Sequence, residues 1–209
     1  MNDDLNILLE DEHILVVDKP AEMLSVPGRG PDNQDSIASR AATRYAEIHV
    51  VHRLDCSTSG VMLLAKTKQA QSELNRQFRD RETHKEYLAV GFGEWAQDCG
   101  EIDFPLITDW PNRPRQKICY EQGKPSLTRY QVLERSNGRV RLNLIPVTGR
   151  SHQLRVHCMA IGLPLLGDNL YAPPAVLAMS HRLLLHARRL DFCHPVDGTA
   201  LSVETSVPF

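Results

Sequence analysis

Three short segments of the chain combine a carboxylate, a guanidinium and an aromatic hydroxyl with small loop residues. The first is the run 51–60 (VHRLDCSTSG), in which Asp55 precedes a small polar loop and then an apolar stretch. An acid in a loop beside a rigid strand is well placed for nucleophilic or general-base chemistry. The alternative is an Asp that bonds the backbone of Ser57 or Thr58 and shapes a turn. Taken alone, Asp55 fits the turn better than the catalytic site.

The second segment is 148–155 (TGRSHQLR), where small residues precede a predicted helix. Arg150 lies in the loop, from which its guanidinium could bind a carboxylate or a phosphate in a bidentate way. His152 and His157 are five residues apart, and no H-E-x-x-H pattern joins them. A metal site is therefore not expected, and His157 is predicted to pack in the core.

The third segment is Lys85-Glu86-Tyr87, at the start of a predicted strand. The flat ring and hydroxyl of Tyr87 suit contact with a nucleobase, although a core tyrosine is the simpler interpretation of this residue alone. The chain contains no G-x-x-x-x-G-K-[ST], G-x-G-x-x-G or G-x-S-x-G pattern. The usual signatures of nucleotide hydrolysis, dinucleotide redox chemistry and serine hydrolases are thus missing.

Apolar runs and turn signals predict the elements that position these segments. In the first half they are a strand at 14–17 ended by Pro20, a helix from a cap at Asp35 or Ser36 to about Ile48, a buried strand at 61–65, a polar helix at 68–81 and a strand at 87–90. In the second half they are a hairpin of 128–133 and 139–145 around Asn137-Gly138, a helix at 151–161 ended by Gly162, and strands near 183–191 and 200–205. Long hairpins with few helices predict an α+β fold around a mainly antiparallel sheet.

Composition narrows the class of protein. The net charge is −2, but residues 1–12 carry five acids and no Lys or Arg, which leaves the remainder basic, with clusters at 76–85 and 113–129. Such clusters suit a polyanion, although charge alone fits solvated faces better. The five scattered cysteines, without C-x-x-C, predict reduced and mostly buried thiols. The acidic N-terminus and the absence of a long apolar run predict a cytoplasmic protein with no membrane partner.

Taken together, the three segments resemble the RluA-type pseudouridine synthases. The family pattern H-R-L-D-x-x-T-S-G, then K-x-Y about thirty residues on, then G-R-x-H-Q-L-R, is matched in order and spacing by 52–60, 85–87 and 149–155. The resemblance implies the pseudouridine-synthase fold, α+β with a mainly antiparallel mixed sheet, a few flanking helices and a central active-site cleft. Only about fifty residues precede the Asp55 motif, so an N-terminal S4 module is expected to be absent. Residues 1–209 are expected to form a single catalytic domain.

The resemblance also implies the chemistry. Pseudouridylation breaks the N1–C1′ bond of a flipped uridine, turns the base and joins C5 to C1′, so no cofactor is expected. Asp55 is the expected catalytic carboxylate, either attacking C1′ or uracil C6 or taking the 2′ proton; the sequence leaves these roles open. Arg150 is expected to pair with Asp55 and keep it ionised. Tyr87 is expected to stack on the uracil and to act at C5.

RNA is the implied partner of a protein expected to be monomeric. Arg53 is expected to contact RNA and to fill the space vacated by the base. The other implied contacts are His52, His152, Gln153, Leu154 and Arg155, with Arg113, Arg115 and Lys117 in a basic segment. The stretch 106–117 resembles the compact dual-specificity members of the family, which act on the anticodon stem-loop of tRNA and on a 23S rRNA hairpin.

Three other classes of protein are the alternatives to this interpretation. A non-catalytic RNA-binding protein on the same fold would be expected to lose the acid or its arginine, and both are present. A nucleoside or glycoside hydrolase would be expected to carry a second acid near the first, and none accompanies Asp55 in these motifs. A metal nuclease would need a cluster of acids, which the sequence does not suggest.

Overall fold

The structure is a computed structural model that describes residues 5–209, so Asp3 and Asp4 of the acidic N-terminal stretch lie outside the described residues. The chain divides into two compact units. Of the described residues, one unit contains 5–85 and 186–208, and the other contains Glu86–Leu185 and Phe209. Within residues 5–209, no helix is long and apolar enough to cross a membrane.

The described residues form strands and short helices. The strands are β1 Ile7–Glu10, β2 Ile14–Lys19, β3 His49–Val50, β4 Ser59–Ala65, β5 His84–Phe92, β6 Cys99–Asp103, β7 Leu106–Thr108, β8 Gln116–Ile118, β9 Leu127–Ser136, β10 Arg139–Pro146, β11 Leu185–Cys193 and β12 Ala200–Glu204. The α-helices are α1 Ile37–Arg44, α2 Lys68–Asp80, α3 Gln153–Ala160 and α4 Pro174–Leu177, and Pro31–Asn33 and Trp110–Asn112 are 3-10 turns.

In the first unit, β4 is the central strand. It pairs antiparallel with β2 and β3 and parallel with β11, while β1 extends from β2 and β12 from β11. All seven residues of β4 are buried, as expected for a continuous apolar run covered on both faces. Ala70 and Leu74 of α2 pack with β2 and β4 in one core cluster. The loop 51–58 enters β4 and is therefore held against the most buried strand of this unit.

Gly60 lies where the backbones of β4 and β11 come close together. Its φ is +114°, and a Cβ atom there would lie 2.2 Å from the carbonyl oxygen of Ala187. Gly60 and Ala187 are register partners in the parallel β4–β11 pair. Only glycine allows both this backbone conformation and this contact.

In the second unit, β5, β10, β9 and β6 form an antiparallel sheet in that order. The β9–β10 hairpin turns at Asn137 and Gly138, whose φ values are +52° and +72°, as a type I′ turn requires. Leu142 and Leu144 alternate with more exposed residues along β10 and pack with Leu154 and Cys158 of α3. Strands β7 and β8 form a separate two-stranded sheet.

The predicted α+β fold with a mainly antiparallel sheet is confirmed, as are the 128–145 hairpin and the helix near 68–81. The helix predicted to reach Ile48 ends instead at Arg44, because Tyr45 is extended (φ −121°, ψ 142°). The prediction of mostly buried cysteines was wrong. Only Cys158 is buried, whereas Cys99 at the start of edge strand β6 and Cys193 at the end of β11 are exposed.

Candidate active site

Asp55 lies in a loop of the first unit that is shaped by its own backbone. The Asp55 carbonyl accepts the N–H of Thr58 at 3.1 Å, which closes a turn just before β4 begins at Ser59. Because the backbone carbonyl makes this bond, closing the turn does not require the carboxylate.

Two buried polar residues hold the chain on either side of Asp55. The Ser25 hydroxyl donates to the Leu54 carbonyl at 2.7 Å and accepts the Leu54 N–H at 3.0 Å. The Lys19 ammonium, 0% exposed, donates to the carbonyls of Pro20, Met23 and Cys56 at 2.9, 2.7 and 2.9 Å. Leu54 is thus fixed to the segment that follows β2, and Cys56 is fixed to Lys19 at the end of β2.

Sequence reasoning missed Lys19 and Ser25, since the first was interpreted as the end of a strand and the second as loop. The available signal was the lysine at the end of the apolar run 14–17. A lysine in such a position is buried only when its ammonium finds acceptors.

His52 makes contacts inside the unit. Its Nε2 accepts the N–H of Leu63 at 3.0 Å, and its ring stacks on Phe78 with centroids 4.8 Å apart. Desolvation, reinforced by the positive charge of Lys85, lowers the pKa of His52 to about 3, so the imidazole is neutral near pH 7. Arg53, the next residue, is exposed and makes no hydrogen bond or ion pair with residues 5–209.

In the second unit, the Gln153 side chain organises the segment that carries Arg150. Its Oε1 accepts the Arg150 N–H at 3.0 Å and the Thr148 hydroxyl at 2.7 Å. Its Nε2 donates to the Leu127 carbonyl and the Thr128 hydroxyl, both at 3.0 Å. Gln153 is only 3% exposed, so its amide fixes the loop to β9.

Arg150 and Tyr87 differ in exposure. Arg150 is exposed, and its Nε donates to the Pro125 carbonyl at 3.3 Å. Tyr87 on β5 lies opposite Leu144 of β10 and is half-buried against the core cluster of this unit. Asp55 belongs to the first unit and these two residues to the second, and the ion pair between Asp55 and Arg150 stays a prediction.

The remaining residues of the 148–155 motif are held internally. Arg155, 2% exposed, forms a bidentate pair with the buried Asp168 at 2.9 and 2.5 Å. His152 has a left-handed backbone (φ 55°), and its Nδ1 lies 2.7 Å from the Tyr171 hydroxyl. Leu154 is buried in the core cluster. His157 is fully buried between Thr128 and Phe104, which confirms its predicted packing role.

The basic segment 113–117 covers the end of the turn between β7 and β8 and the first residues of β8. The Arg113 guanidinium lies 3.2 Å from the ring centroid of Trp110, which is 66% exposed. The Lys117 ammonium is 3.7 Å from Asp109. Arg115 is exposed, with its guanidinium 5.4 Å from the ring of Tyr171. The cations predicted to meet RNA in this segment therefore lie at the surface.

In the other basic cluster, at 76–85, two of the four cations are paired with acids. Arg76 lies 2.7 Å from Glu73 and 2.6 Å from Glu82, and Arg79 lies 3.1 Å from Asp80. These pairs offset part of the positive charge that the sequence suggested for this cluster. Within residues 5–209, no group of three or more His, Cys, Asp or Glu is arranged to hold a metal ion.

Comparisons with known proteins agree with these motifs. The family model described as RNA pseudouridylate synthase matches residues 13–160. The chain is 52% identical to the dual-specificity RNA pseudouridine synthase RluA of Yersinia pestis, over 97% of this chain and 99% of that protein. It is 50% identical to the protein of the same name from Escherichia coli K12, over 98% and 94% of the two chains.

Among solved structures, the human RNA pseudouridylate synthase domain containing 1 protein matches with a TM-score of 0.83 and 31% identity, over 99% of this chain and 85% of that chain. Motifs, fold and relatives all indicate one class of RNA-modifying isomerase. The chain therefore belongs to the RNA pseudouridylate synthase family.

Proposed function

We propose that this enzyme is a dual-specificity pseudouridine synthase, which modifies uridines in the anticodon stem-loop of tRNA and in a hairpin of 23S rRNA. The observation that carries the proposal is its 52% identity, over almost the whole of both chains, with a relative named for dual specificity. The family match also spans residues of both units, which supports treating the two units as one catalytic domain.

Asp55 is the proposed catalytic carboxylate. The bonds from Ser25 and Lys19 to its two neighbours support this role, because a reacting group must be held by rigid surroundings. From that position the carboxylate either attacks C1′ or uracil C6, or takes the 2′ proton. Detachment and rejoining of the base then occur within one pocket. The overall isomerisation exchanges no electrons and needs no cofactor.

Arg150 and Tyr87 complete the proposed catalytic set. Arg150 keeps the carboxylate of Asp55 ionised through an ion pair. Tyr87 stacks on the flipped uracil and acts at C5, where a proton must leave. The exposed guanidinium of Arg150 and the half-buried ring of Tyr87 are consistent with groups that meet a substrate.

The proposed RNA contacts divide by exposure. Phosphate contacts position an RNA without reading its sequence, and the exposed cations suited to them are Arg53, Arg113, Arg115 and Lys117. The other predicted contacts have side chains with internal partners or in the core, and for them we propose a positioning role. They are His52, His152, Gln153, Leu154 and Arg155.

Action as a cytoplasmic monomer is also part of the proposal. Both proposed RNA classes are found in the bacterial cytoplasm. RNA is therefore the proposed partner, and no membrane partner is proposed. Sedimentation of the purified protein with and without RNA tests the monomer. A dimer in the absence of RNA would contradict it.

Pseudouridine mapping in cells tests the dual specificity. Total tRNA and 23S rRNA would be compared between cells with the gene deleted, cells restored with the wild-type chain and cells restored with Asp55→Asn. We expect deletion to remove one site in the anticodon stem-loop and one in a 23S hairpin, and only the wild-type chain to restore both. Loss in one RNA class alone would contradict dual specificity but would leave the family activity standing.

A further inference from the structure

The segment between β6 and β9 exposes aromatic side chains. Residues 106–124, here called the 106–124 ribbon, contain β7, β8 and the turns that flank them. In this ribbon Trp110 is 66% exposed and Tyr120 is 74% exposed. The other large apolar side chains exposed within residues 5–209 are not aromatic. A tryptophan contributes to stability mainly by burying its large ring, so the fold gains little from Trp110.

The turn that carries Trp110 is held together by its neighbours. The Asp109 N–H donates to the Arg115 carbonyl at 2.9 Å, and the Asn112 N–H donates to the Asp109 carbonyl at 2.9 Å. The Asn112 side-chain amide donates to the Asp109 carboxylate, also at 2.9 Å. These bonds do not involve the indole, so the turn presents the Trp110 ring without depending on it.

Arg113 orients the ring. Its guanidinium lies 3.2 Å from the centroid of the Trp110 ring and covers one face of the indole. Within residues 5–209, no other cation or aromatic ring contacts Trp110. The opposite face of the indole is therefore available to a flat partner. A ring that is already held in one orientation loses little conformational freedom when such a partner binds.

The 106–124 ribbon is also fixed to the rest of its own unit. The Gln116 N–H donates to the Tyr171 hydroxyl at 2.8 Å, and the same hydroxyl lies 2.7 Å from Nδ1 of His152. One tyrosine therefore links the ribbon to the 148–155 segment. Trp110 stands on an anchored surface and not on a loose loop.

The charge of the ribbon favours a polyanion. Residues 106–124 carry four cations and two acids. The four cations are all exposed, and they are Arg113, Arg115, Lys117 and Lys124. Exposed rings interleaved with cations are typical of surfaces that bind unpaired nucleotides, because the cations attract the phosphates and the bases stack on the rings.

We propose that Trp110 stacks on an unpaired base of the substrate RNA, through the face of the indole opposite Arg113. The inference rests on the chain acting on RNA, and it adds a base contact to the phosphate contacts proposed above. Inside a duplex, both faces of a base are covered by its neighbours, so the partner must be an unpaired base. Stacking tolerates any base, and Trp110 therefore selects RNA with an open loop and not a particular sequence.

The test compares three variants in the full chain. Trp110→Leu removes the ring and keeps an apolar side chain, and Trp110→Phe keeps a ring. Leu133→Ala, at an exposed position of β9 outside the ribbon, is the control. Affinity is measured for an anticodon stem-loop RNA and for a fully paired RNA duplex with the same number of nucleotides. Urea unfolding without RNA measures stability.

We expect Trp110→Leu to bind the stem-loop about tenfold more weakly than the wild type, as the loss of one stacked base requires. Its affinity for the duplex and its urea midpoint should not change, because the ring is exposed and the turn does not depend on it. Trp110→Phe should retain most of the affinity for the stem-loop. Leu133→Ala should bind both RNAs like the wild type.

Tryptophan fluorescence provides a second measurement. The chain has two tryptophans, so Trp110 is the only one in a Trp95→Phe protein. The buried Nε1 of Trp95 makes no hydrogen bond within residues 5–209, so that substitution removes none. We expect the stem-loop to quench the emission of Trp110 and the duplex to leave it nearly unchanged. If the Trp95→Phe protein does not fold, the affinities of the other variants decide.

Three results would overturn the proposal. Unchanged affinity of Trp110→Leu for the stem-loop would exclude the stacking contact, and so would an emission that the stem-loop does not quench. Equal weakening for the stem-loop and the duplex would assign Trp110 to orienting the Arg113 guanidinium instead. Pseudouridine formation by the wild-type chain is measured separately. Its absence would overturn the proposed function, whereas the three results above would leave that function standing.

Discussion

The side-chain oxygen of Gln153 accepts the backbone N–H of Arg150 at 3.0 Å. The same amide reaches back to the Leu127 carbonyl and the Thr128 hydroxyl on β9. One buried side chain therefore fixes both the arginine proposed to pair with Asp55 and the start of the helix that follows it.

Replacing Gln153 by leucine should lower both stability and turnover. The substitution leaves several buried polar groups without partners, which we expect to cost about 3 kcal/mol of unfolding free energy. Because Arg150 loses its backbone anchor, kcat should fall more than KM rises. Urea unfolding and steady-state kinetics measure the two effects. Gln131→Leu, at an exposed position of β9, is the control and should change neither by much.

The sequence motifs predict a set of functional residues, but they could not show which internal hydrogen bonds hold the side chains of those residues. The 128–145 hairpin followed from alternating residues and an Asn-Gly turn, which are local signals. The Gln153 bonds span about 25 residues and the Lys19 bond to Cys56 spans 37. Hydrogen bonds between residues so far apart in the chain produce no periodic pattern in the sequence. Gln153 was therefore predicted as an RNA contact, and Lys19 was not singled out.

The short strands were missed for a related reason. β6, β7 and β8 have three to five residues each, which is too few for alternation to be recognised. β6 is held by pairing with β9, and β7 and β8 are held by pairing with each other. These pairings, and not local β propensity, stabilise the three strands.

Protonation of His52 should destabilise the protein in mild acid. The folded-state pKa is about 3, below the usual 6.5, so the unfolded chain binds more protons between these values. The contribution of neutral His52 to the free energy of unfolding is therefore complete above pH 6.5, and it is lost as the pH falls towards 3. At pH 5 the loss should reach at most about 2 kcal/mol.

Urea unfolding at pH 7.5 and pH 5 checks this, with His52→Gln as the comparison because its amide oxygen can still accept the Leu63 N–H. The variant should lose less stability between the two pH values than the wild type. Equal losses would show that His52 does not titrate in the expected way.

The Arg155–Asp168 pair provides a test of a positioning role against an RNA contact. Arg155→Met leaves the buried carboxylate of Asp168 without its cation, which should cost about 3–5 kcal/mol. Adding Asp168→Asn should recover part of that loss, because the asparagine oxygen can still accept the N–H groups of Leu170 and Tyr171. Denaturant unfolding of the single and double variants measures the coupling. A stable Arg155→Met protein with weakened RNA affinity would instead support the direct contact.

Gly60 should tolerate no side chain. Gly60→Ala places a Cβ 2.2 Å from the Ala187 carbonyl oxygen at a φ of +114°, so we expect a loss of more than about 3 kcal/mol or no folded protein. Gly198→Ala also has a positive φ, +74°, but meets nothing within 4 Å, and it should cost only about 1 kcal/mol. Thermal unfolding of both variants separates the steric clash from the backbone conformation. Similar losses in the two proteins would argue against the close β4–β11 approach.

The catalytic role of Asp55 is the central claim, and tritium release from RNA labelled at uridine C5 tests it most directly. The wild-type chain and Asp55→Asn would be incubated with a labelled anticodon stem-loop, and RNA binding would be measured in parallel. We expect the variant to bind the RNA but to release no tritium above background. Substantial release by Asp55→Asn would remove Asp55 from the mechanism and contradict the account.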